Sequence, residues 1–279
     1  MSASDPSHPE STGQVPPQKP GAGLTTSFRT ARTVFALMLR EMSTRYGRSP
    51  GGYLWAILEP LGGVFILALA FSLLLRTPSL GNSFVLFYAT GFVPFTLYQN
   101  ISNAVARALS FSRPLMQYPV VTWGDAVLAR FTLNALTGIL VGYVVLLLIM
   151  VIIDTHVLLD IVPILKVIFL TLLLSLAVGV LNCVLIGLFD AWDMIWSIAT
   201  RPLFLASGVI FIYEDMPPVV QKVLWYNPLM HITGLMREGF YSTYSPSYIS
   251  ELYVICVSLV VLFLGTVLLR RHHRDILTR

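Results

Sequence analysis

The sequence predicts an all-α integral membrane protein: six transmembrane helices, an amino-terminal amphipathic interface helix, and re-entrant periplasmic helices before the last span. Three observations carry this. Of 279 residues, 56% are hydrophobic and only 11% are charged, against roughly one quarter charged in a soluble domain, so the apolar surplus must face lipid. Six runs reach the roughly 20 residues that a helix needs to cross about 30 Å of hydrocarbon. The arginines flank alternate runs, the pattern that sets topology in a bilayer.

Residues 1–26 are rich in Pro, Ser and Gly and hold no apolar core behind a positive flank. They read as a disordered cytoplasmic tail and not as a secretory leader. Residues 27–48 follow as an interface helix. Phe28, Ala31, Phe35, Met38, Met42 and Tyr46 recur at steps of three or four, a helical apolar stripe, while Arg29, Arg32 and Arg40 fall mainly elsewhere and suit anionic lipid.

Residues 49–279 read as one transmembrane domain with spans at 53–75, 84–106, 126–153, 161–189, 194–213 and 248–269. With the amino terminus inside, the cytoplasmic face receives Arg29, Arg32, Arg40, Arg45, Arg48, Arg107, Arg113, Arg270, Arg271 and Arg274. The opposite face receives Arg76, Lys166, Lys222 and Arg237, so both termini are expected in the cytoplasm. Two connections are more than turns. Residues 109–119 are apolar and basic, and fit either an exposed helix offered to a soluble partner or a helix resting on the bilayer. Residues 214–246, with Pro217, Pro218, Trp225, Tyr226 and Pro228, are too apolar for a free loop and too interrupted for a span. They fit broken helices that enter and leave on one side, or a folded cap on the outer leaflet.

Several chemistries are missing from the sequence. It has no Gly-x-x-x-x-Gly-Lys-Ser/Thr loop for nucleotide phosphates and no His-Glu-x-x-His zinc helix. Cys183 and Cys256 lie in separate apolar runs and read as packing residues. No catalytic residue, metal site or nucleic-acid partner is expected. Charges inside spans each call for a reason. Glu59, before Pro60, is expected to pair with a neighbouring arginine, and Arg130 to snorkel to the surface. Arg201 lies about 12 Å along the helix from Asp193. It fits a polar path for phosphate, carboxylate or hydroxyl groups, or equally an ion pair with Glu59 or Asp193. Arg237 and Glu238, adjacent on a helix, are expected to have separate partners. The aromatics near span ends, Tyr53, Trp55, Tyr88, Phe95, Tyr98, Trp196, Trp225 and Tyr226, fit an interfacial belt or a lining that stacks on sugars.

Two blocks carry a resemblance. Leu39-Arg40-Glu41-Met42-Ser43-Thr44-Arg45-Tyr46-Gly47 with Gly52-Tyr53-Leu54-Trp55-Ala56-Ile57-Leu58-Glu59-Pro60, and Trp225-Tyr226-Asn227-Pro228-Leu229-Met230-His231 through Arg237-Glu238, resemble the membrane subunits of bacterial polysaccharide ABC exporters, those of capsule export most of all. The resemblance implies an inner-membrane homodimer of six-helix permeases with two cytoplasmic ATPase subunits that hold the ATP and Mg. It implies as cargo a lipid-linked polymer moved to the periplasm, with periplasmic and outer-membrane export components as further partners. It assigns ATPase docking to the interface helix and to residues 109–119, with Arg40, Arg45, Phe111, Arg113, Leu115, Met116 and Tyr118 as candidates. For the polymer path the candidates are Tyr53, Trp55, Glu59, Tyr88, Phe95, Tyr98, Trp196, Arg201, Trp225 and Tyr226. Export of O-antigen, teichoic acid, another glycolipid or a drug remains open, as does a membrane-embedded transferase or a passive channel.

Overall fold

Every regular element among the described residues is helical, as the apolar runs require. The structure, a computed structural model, describes residues 26–46, 52–116, 121–153 and 158–278. The predicted tail at residues 1–25 and Tyr118 lie outside these, as do the side chains of Arg45 and Tyr53. In chain order the helices are α1 (Thr26–Tyr46), α2 (Gly52–Ser72), α3 (Phe84–Ala106), α4 (Ala108–Ser112), α5 (Trp123–Ile153) and α6 (Ile161–Leu188). They continue with α7 (Trp192–Ala206), a single 3₁₀ turn at Tyr213–Asp215, α8 (Pro218–Leu224), α9 (Pro228–Phe240) and α10 (Glu251–Thr278).

Among the described residues, four stretches are long and apolar enough to cross a membrane: Leu54–Ser72, Trp123–Ile153, Ile161–Leu188 and Glu251–Leu277. The expected six are thus matched by four on length and composition. α3 has 23 residues but carries Gln99, Asn100, Ser102 and Asn103 in its second half. The expected span at 194–213 is a helix of only 15 residues, about 22 Å long. It stops at Ala206, and Gly208 then turns the chain with φ of 70°. A side chain is disfavoured there by backbone sterics, and a Cβ would also sit 2.6 Å from Met230 Sδ. α5 begins three residues earlier than expected because Thr122 and Asp125 cap it reciprocally, the Asp125 carboxylate accepting from the Thr122 N–H at 3.0 Å and Thr122 Oγ1 accepting from the Asp125 N–H at 3.2 Å.

α6 is the centre of the bundle, with α10 and α3 packed along it. Gly265 lets α10 lie directly on α6, since a Cβ there would fall 2.9 Å from the Leu181 nitrogen. One core joins α2, α3, α5, α6, α9 and α10 through residues such as Phe87, Tyr88, Ile149, Leu170, Ile232 and Val254. A second core, around Ile101, Leu109, Val184 and Leu269, lies toward the end that carries α1 and α4. α1, α4 and the carboxyl-terminal part of α10 share this end, where Trp123 and His273 rings approach to 6.5 Å. α8, α9 and the 3₁₀ turn lie at the other. α2 and α7 are the periphery: α7 buries no residue, and α2 buries only Val64 and Ala68 among its hydrophobic residues.

Candidate functional site

At the α1/α4 end, the helix break at Arg107 is held from three sides. Glu41 of α1, only 3% exposed, accepts from Arg130 Nε at 3.2 Å and from Nη2 at 3.1 Å. The third guanidinium nitrogen of Arg130 donates to the Arg107 carbonyl at 3.0 Å, an oxygen that also accepts from the Phe111 N–H of α4 at 3.1 Å. The Arg107 side chain reaches Asp193 of α7 at 3.0 Å. Phe111 of α4 lies between two guanidinium groups, 4.2 Å from Arg130 and 5.5 Å from Arg40, a cation–π arrangement that fixes the ring. One planar fork therefore ties α1, α5 and α4 together. This corrects the expectation that Arg130 snorkels: a buried acid on α1 neutralises it. Arg113 stands exposed in the turn after α4, and Leu115 lines a cleft of about 630 Å³ with Arg32, Ala36, Leu37 and Arg40. Met116 packs against the second core.

Between α2, α3 and α5 lies a second cleft of about 370 Å³, lined among others by Glu59, Pro60, Gln99, Asn100, Asn134 and Thr137. It adjoins a recess of about 320 Å³ formed by Phe95, Gln99, Thr200, Arg201 and Phe204. The two share Phe95, Gln99 and Phe204 in their walls, which makes them one groove running from the acid on α2 to the cation on α7. Phe204 closes the middle, edge-on to Phe95 at 5.1 Å and to Phe92 at 6.2 Å. Space exists because α5 offers Gly138 and Gly142 here.

Among the described residues, Glu59 and Arg201 form no ion pair: the pairs are Arg107–Asp193, Arg130–Glu41 and Lys166–Glu251. The expected pairing of Glu59 with an arginine is therefore not made, and Asp193 is taken by Arg107 instead of Arg201. An ionised side chain at the middle of a membrane helix costs about 3 kcal/mol on insertion scales, so a groove holding two of them needs a ligand, a partner or water.

At the far end, Arg237 and His231 bond to the chain itself, while Arg237 Nε and the Tyr241 hydroxyl have no hydrogen-bond partner among the described residues. Arg237, 1% exposed, donates to the Phe211 carbonyl at 2.8 Å and the Val209 carbonyl at 3.1 Å, and its guanidinium lies 4.4 Å from the Phe87 ring. Gly91 makes room for this, since a Cβ there would fall 2.9 Å from Val209 Cα and 3.3 Å from Arg237 Nη2. Lys166, whose charge acts on Glu238, is itself paired with Glu251 at 2.7 Å, so only Arg237 has the partner of its own that was expected. His231 donates from Nε2 to the Trp225 carbonyl at 2.8 Å and accepts at Nδ1 from the Ser250 N–H at 3.2 Å. That pattern requires a neutral ring, and burial outside the four spans lowers its pKa accordingly.

The structure scatters the aromatic candidates. Tyr88 and Tyr98 are buried, Tyr88 at 1% exposure. The Trp225 ring is occupied by His231 at 5.5 Å and Tyr253 at 4.9 Å. Trp55 and Tyr226 are 68% and 69% exposed, Trp196 is half-buried on α7, and only Phe95, Glu59 and Arg201 meet at the groove. The sequence expectation omits Glu41, Gln99, Asn100 and Asn134. Two consecutive amides inside an apolar run were the available signal for the groove, whereas nothing in local spacing links Glu41 to a residue 89 positions away.

The description "ABC-2 type transporter" fits residues 32–241 as a family match. The chain is 32% identical over 249 residues to the polysialic acid transport protein KpsM of Escherichia coli, covering 88% of this chain and 95% of that one. It is 26% identical over 246 residues to the capsule polysaccharide export inner-membrane protein CtrC of Neisseria meningitidis serogroup B. Against the corresponding export protein BexB of Haemophilus influenzae the identity is 25% over 249 residues, and in both cases 88% of this chain and 92% of the relative are covered. The matched stretch contains the Glu41–Arg130 fork, the groove and the buried Arg237, and with four membrane-length apolar helices around them the chain belongs to the ABC-2 type transporter family as a multi-pass membrane protein.

Proposed function

We propose that this chain is the permease subunit of an ATP-driven exporter that moves lipid-linked capsular polysaccharide across the bacterial inner membrane to the periplasm. The observation that carries this is similarity, over 88% of the chain, to two capsule polysaccharide export inner-membrane proteins and to a polysialic acid transport protein. Two permease chains pair with two cytoplasmic ATPase subunits, which bind ATP and Mg, and periplasmic and outer-membrane components continue the route. The α1/α4 end, rich in arginine, faces the cytoplasm with both termini. α2, α3, α5, α6, α7 and α10 make six crossings, α7 together with residues 207–212, and α8 and α9 re-enter from the periplasmic side. Residues 1–26 form a tail, 27–48 the interface helix and 49–279 the transmembrane domain.

In this reading the chain makes and breaks no covalent bond. ATP-driven closure of the ATPases pushes on α1 and α4, and the fork at Arg130 passes the movement to α5 while Arg107 passes it to α7. Arg40, Arg45, Phe111, Arg113, Leu115, Met116 and Tyr118 form the docking surface. The exposed faces of α2 and α7 border the polymer path, with Tyr53, Trp55, Glu59, Phe95, Trp196 and Arg201 nearest it and Tyr88, Tyr98, Trp225 and Tyr226 supporting it from other helices.

Deleting the gene is expected to abolish surface polysaccharide while polymer accumulates inside the cell, and the tagged chain is expected to copurify with an ATPase in equal amount. Normal surface polymer after deletion, or a chain that is active alone, overturns the reading. Phe111→Ala is expected to reduce polymer-stimulated ATP hydrolysis in vesicles by about thirtyfold, taking the two cation–π contacts at about 1 kcal/mol each. Unchanged stimulation would remove α4 from the docking surface.

A further inference from the structure

Four polar side chains at the groove between α2, α3, α5 and α7 are unengaged. Among the described residues, the Glu59 carboxylate, the Gln99 and Asn100 amides and the Arg201 guanidinium make no hydrogen bond or ion pair. Inside the bundle Glu41 is engaged by Arg130, and Arg237 by two carbonyls through two of its three nitrogens. Single unpartnered polar atoms occur elsewhere among the described residues, Asn182 Nδ2 and the Tyr241 hydroxyl among them, but four neighbouring side chains in a single groove, next to two helices whose outer faces are bare, mark a place built to receive something polar.

The groups are also ordered along the groove. One end carries the Glu59 acceptor with the Asn100 amide, and Gln99, shared by both parts, adds a second amide between them, the set that recognises hydroxyls. The middle carries the Phe204 ring, edge-on to Phe95 and Phe92, an apolar wall suited to the C–H face of a pyranose. The other end carries Arg201 beside the Thr200 hydroxyl, a planar fork that matches a carboxylate or phosphate. A volume of about 370 Å³ in the larger part is at the lower end of small-ligand clefts.

Resting on the exporter reading, we propose that this groove is a two-part saccharide subsite in each subunit. Glu59, Gln99 and Asn100 bind the hydroxyls of one sugar residue, and Arg201 binds an anionic group on the adjoining residue. The exported polymer is therefore acidic. The acid at Glu59 repels that anionic group, so the polymer enters in one orientation only.

The test uses the permease–ATPase complex in vesicles. Its probe is the lipid-linked polymer that accumulates in cells lacking this chain, and the readout is the polymer concentration that half-saturates stimulated ATP hydrolysis. Arg201→Gln is expected to raise that concentration about tenfold, the loss of one charge-assisted pair, and Arg201→Lys to raise it only about threefold, since the charge stays but the fork is lost. Gln99→Leu is expected to raise it about threefold. Chemical analysis of the probe is expected to find a carboxylate or phosphate in the repeat. Membrane abundance and ATPase copurification of each variant report folding separately.

A wild-type half-saturation in Arg201→Gln, or a neutral repeat, overturns the subsite and leaves the exporter reading standing. Recovery of both single defects in a Glu59→Arg, Arg201→Glu double variant also overturns it, because the two residues would then be partners across a subunit contact. ATP hydrolysis by the wild-type complex that ignores the polymer altogether overturns the exporter reading itself.

Discussion

Two arginines at different levels beside α3 show how differently this chain treats a buried charge and an open one. Arg237 is enclosed, bonded to the carbonyls of Val209 and Phe211 and seated on Phe87. Arg201 stands exposed on α7, in a helix with no buried residue. The first holds the non-helical segment after α7 against α9 and α3, so its bonds are spent inside the fold. The second has none inside the fold, which leaves its guanidinium for a partner from outside. Charge in an apolar protein thus divides into groups that determine the fold and groups that act on a ligand, and hydrogen-bond satisfaction tells them apart.

The comparison can be broken most forcefully at Arg237. Arg237→Met keeps volume but leaves two buried carbonyls without donors, and it is expected to cost about 3–5 kcal/mol. Thermal unfolding of the detergent-purified protein and membrane abundance would both fall. If Arg237→Met unfolded at the wild-type temperature, the enclosed arginine would not be structural and the contrast would collapse.

A middle effect is expected at Arg130. Arg130→Gln removes the guanidinium that faces the Glu41 carboxylate, whose side chain is 4% exposed, at a cost of about 2–3 kcal/mol. Glu41→Gln combined with Arg130→Gln should recover part of that loss, because the buried negative charge is then removed together with the positive one. A double variant worse than the single one would show that the fork contributes more than neutralisation.

The smallest effects belong to the open charges. Arg107 and Asp193 side chains are 59% and 49% exposed, so Arg107→Gln is expected to cost under about 1 kcal/mol of stability, with the difference shrinking at high salt. Arg201→Gln is expected to change unfolding by no more than about 0.5 kcal/mol. A large stability loss from Arg201→Gln would move it to the same class as Arg237.

Much of the architecture was legible in the residues. Helical content, the amphipathic first helix and four full-length spans follow from periodicity and from the length of apolar runs, which are local properties. The span expected at 194–213 is not one continuous helix, for a local reason that hydropathy does not register: Gly208 takes a left-handed turn so that Ser207 and Val209 can serve α9, with Thr233 Oγ1 donating to the Ser207 carbonyl at 2.7 Å. The candidate site was legible only in pieces. Glu59 and Arg201 stood out as charges in apolar runs, and Phe95 as one aromatic among many. Gln99 and Asn100 drew no attention because neutral amides carry no charge that calls for a partner, although they lower the hydropathy of the second half of α3.

By itself the sequence determined that this protein lives in a bilayer, that it is helical, and which end carries the arginines, because lipid admits only segments whose backbone bonds close internally. Only the tertiary structure decided which charges have partners. Glu41 and Arg130 meet across 89 residues, Arg107 takes Asp193 away from Arg201, and Glu59 ends up facing a groove and not a cation. Pairing depends on how helices pack side by side, and that packing is set by shape and volume over the whole bundle, which no local pattern of residues records.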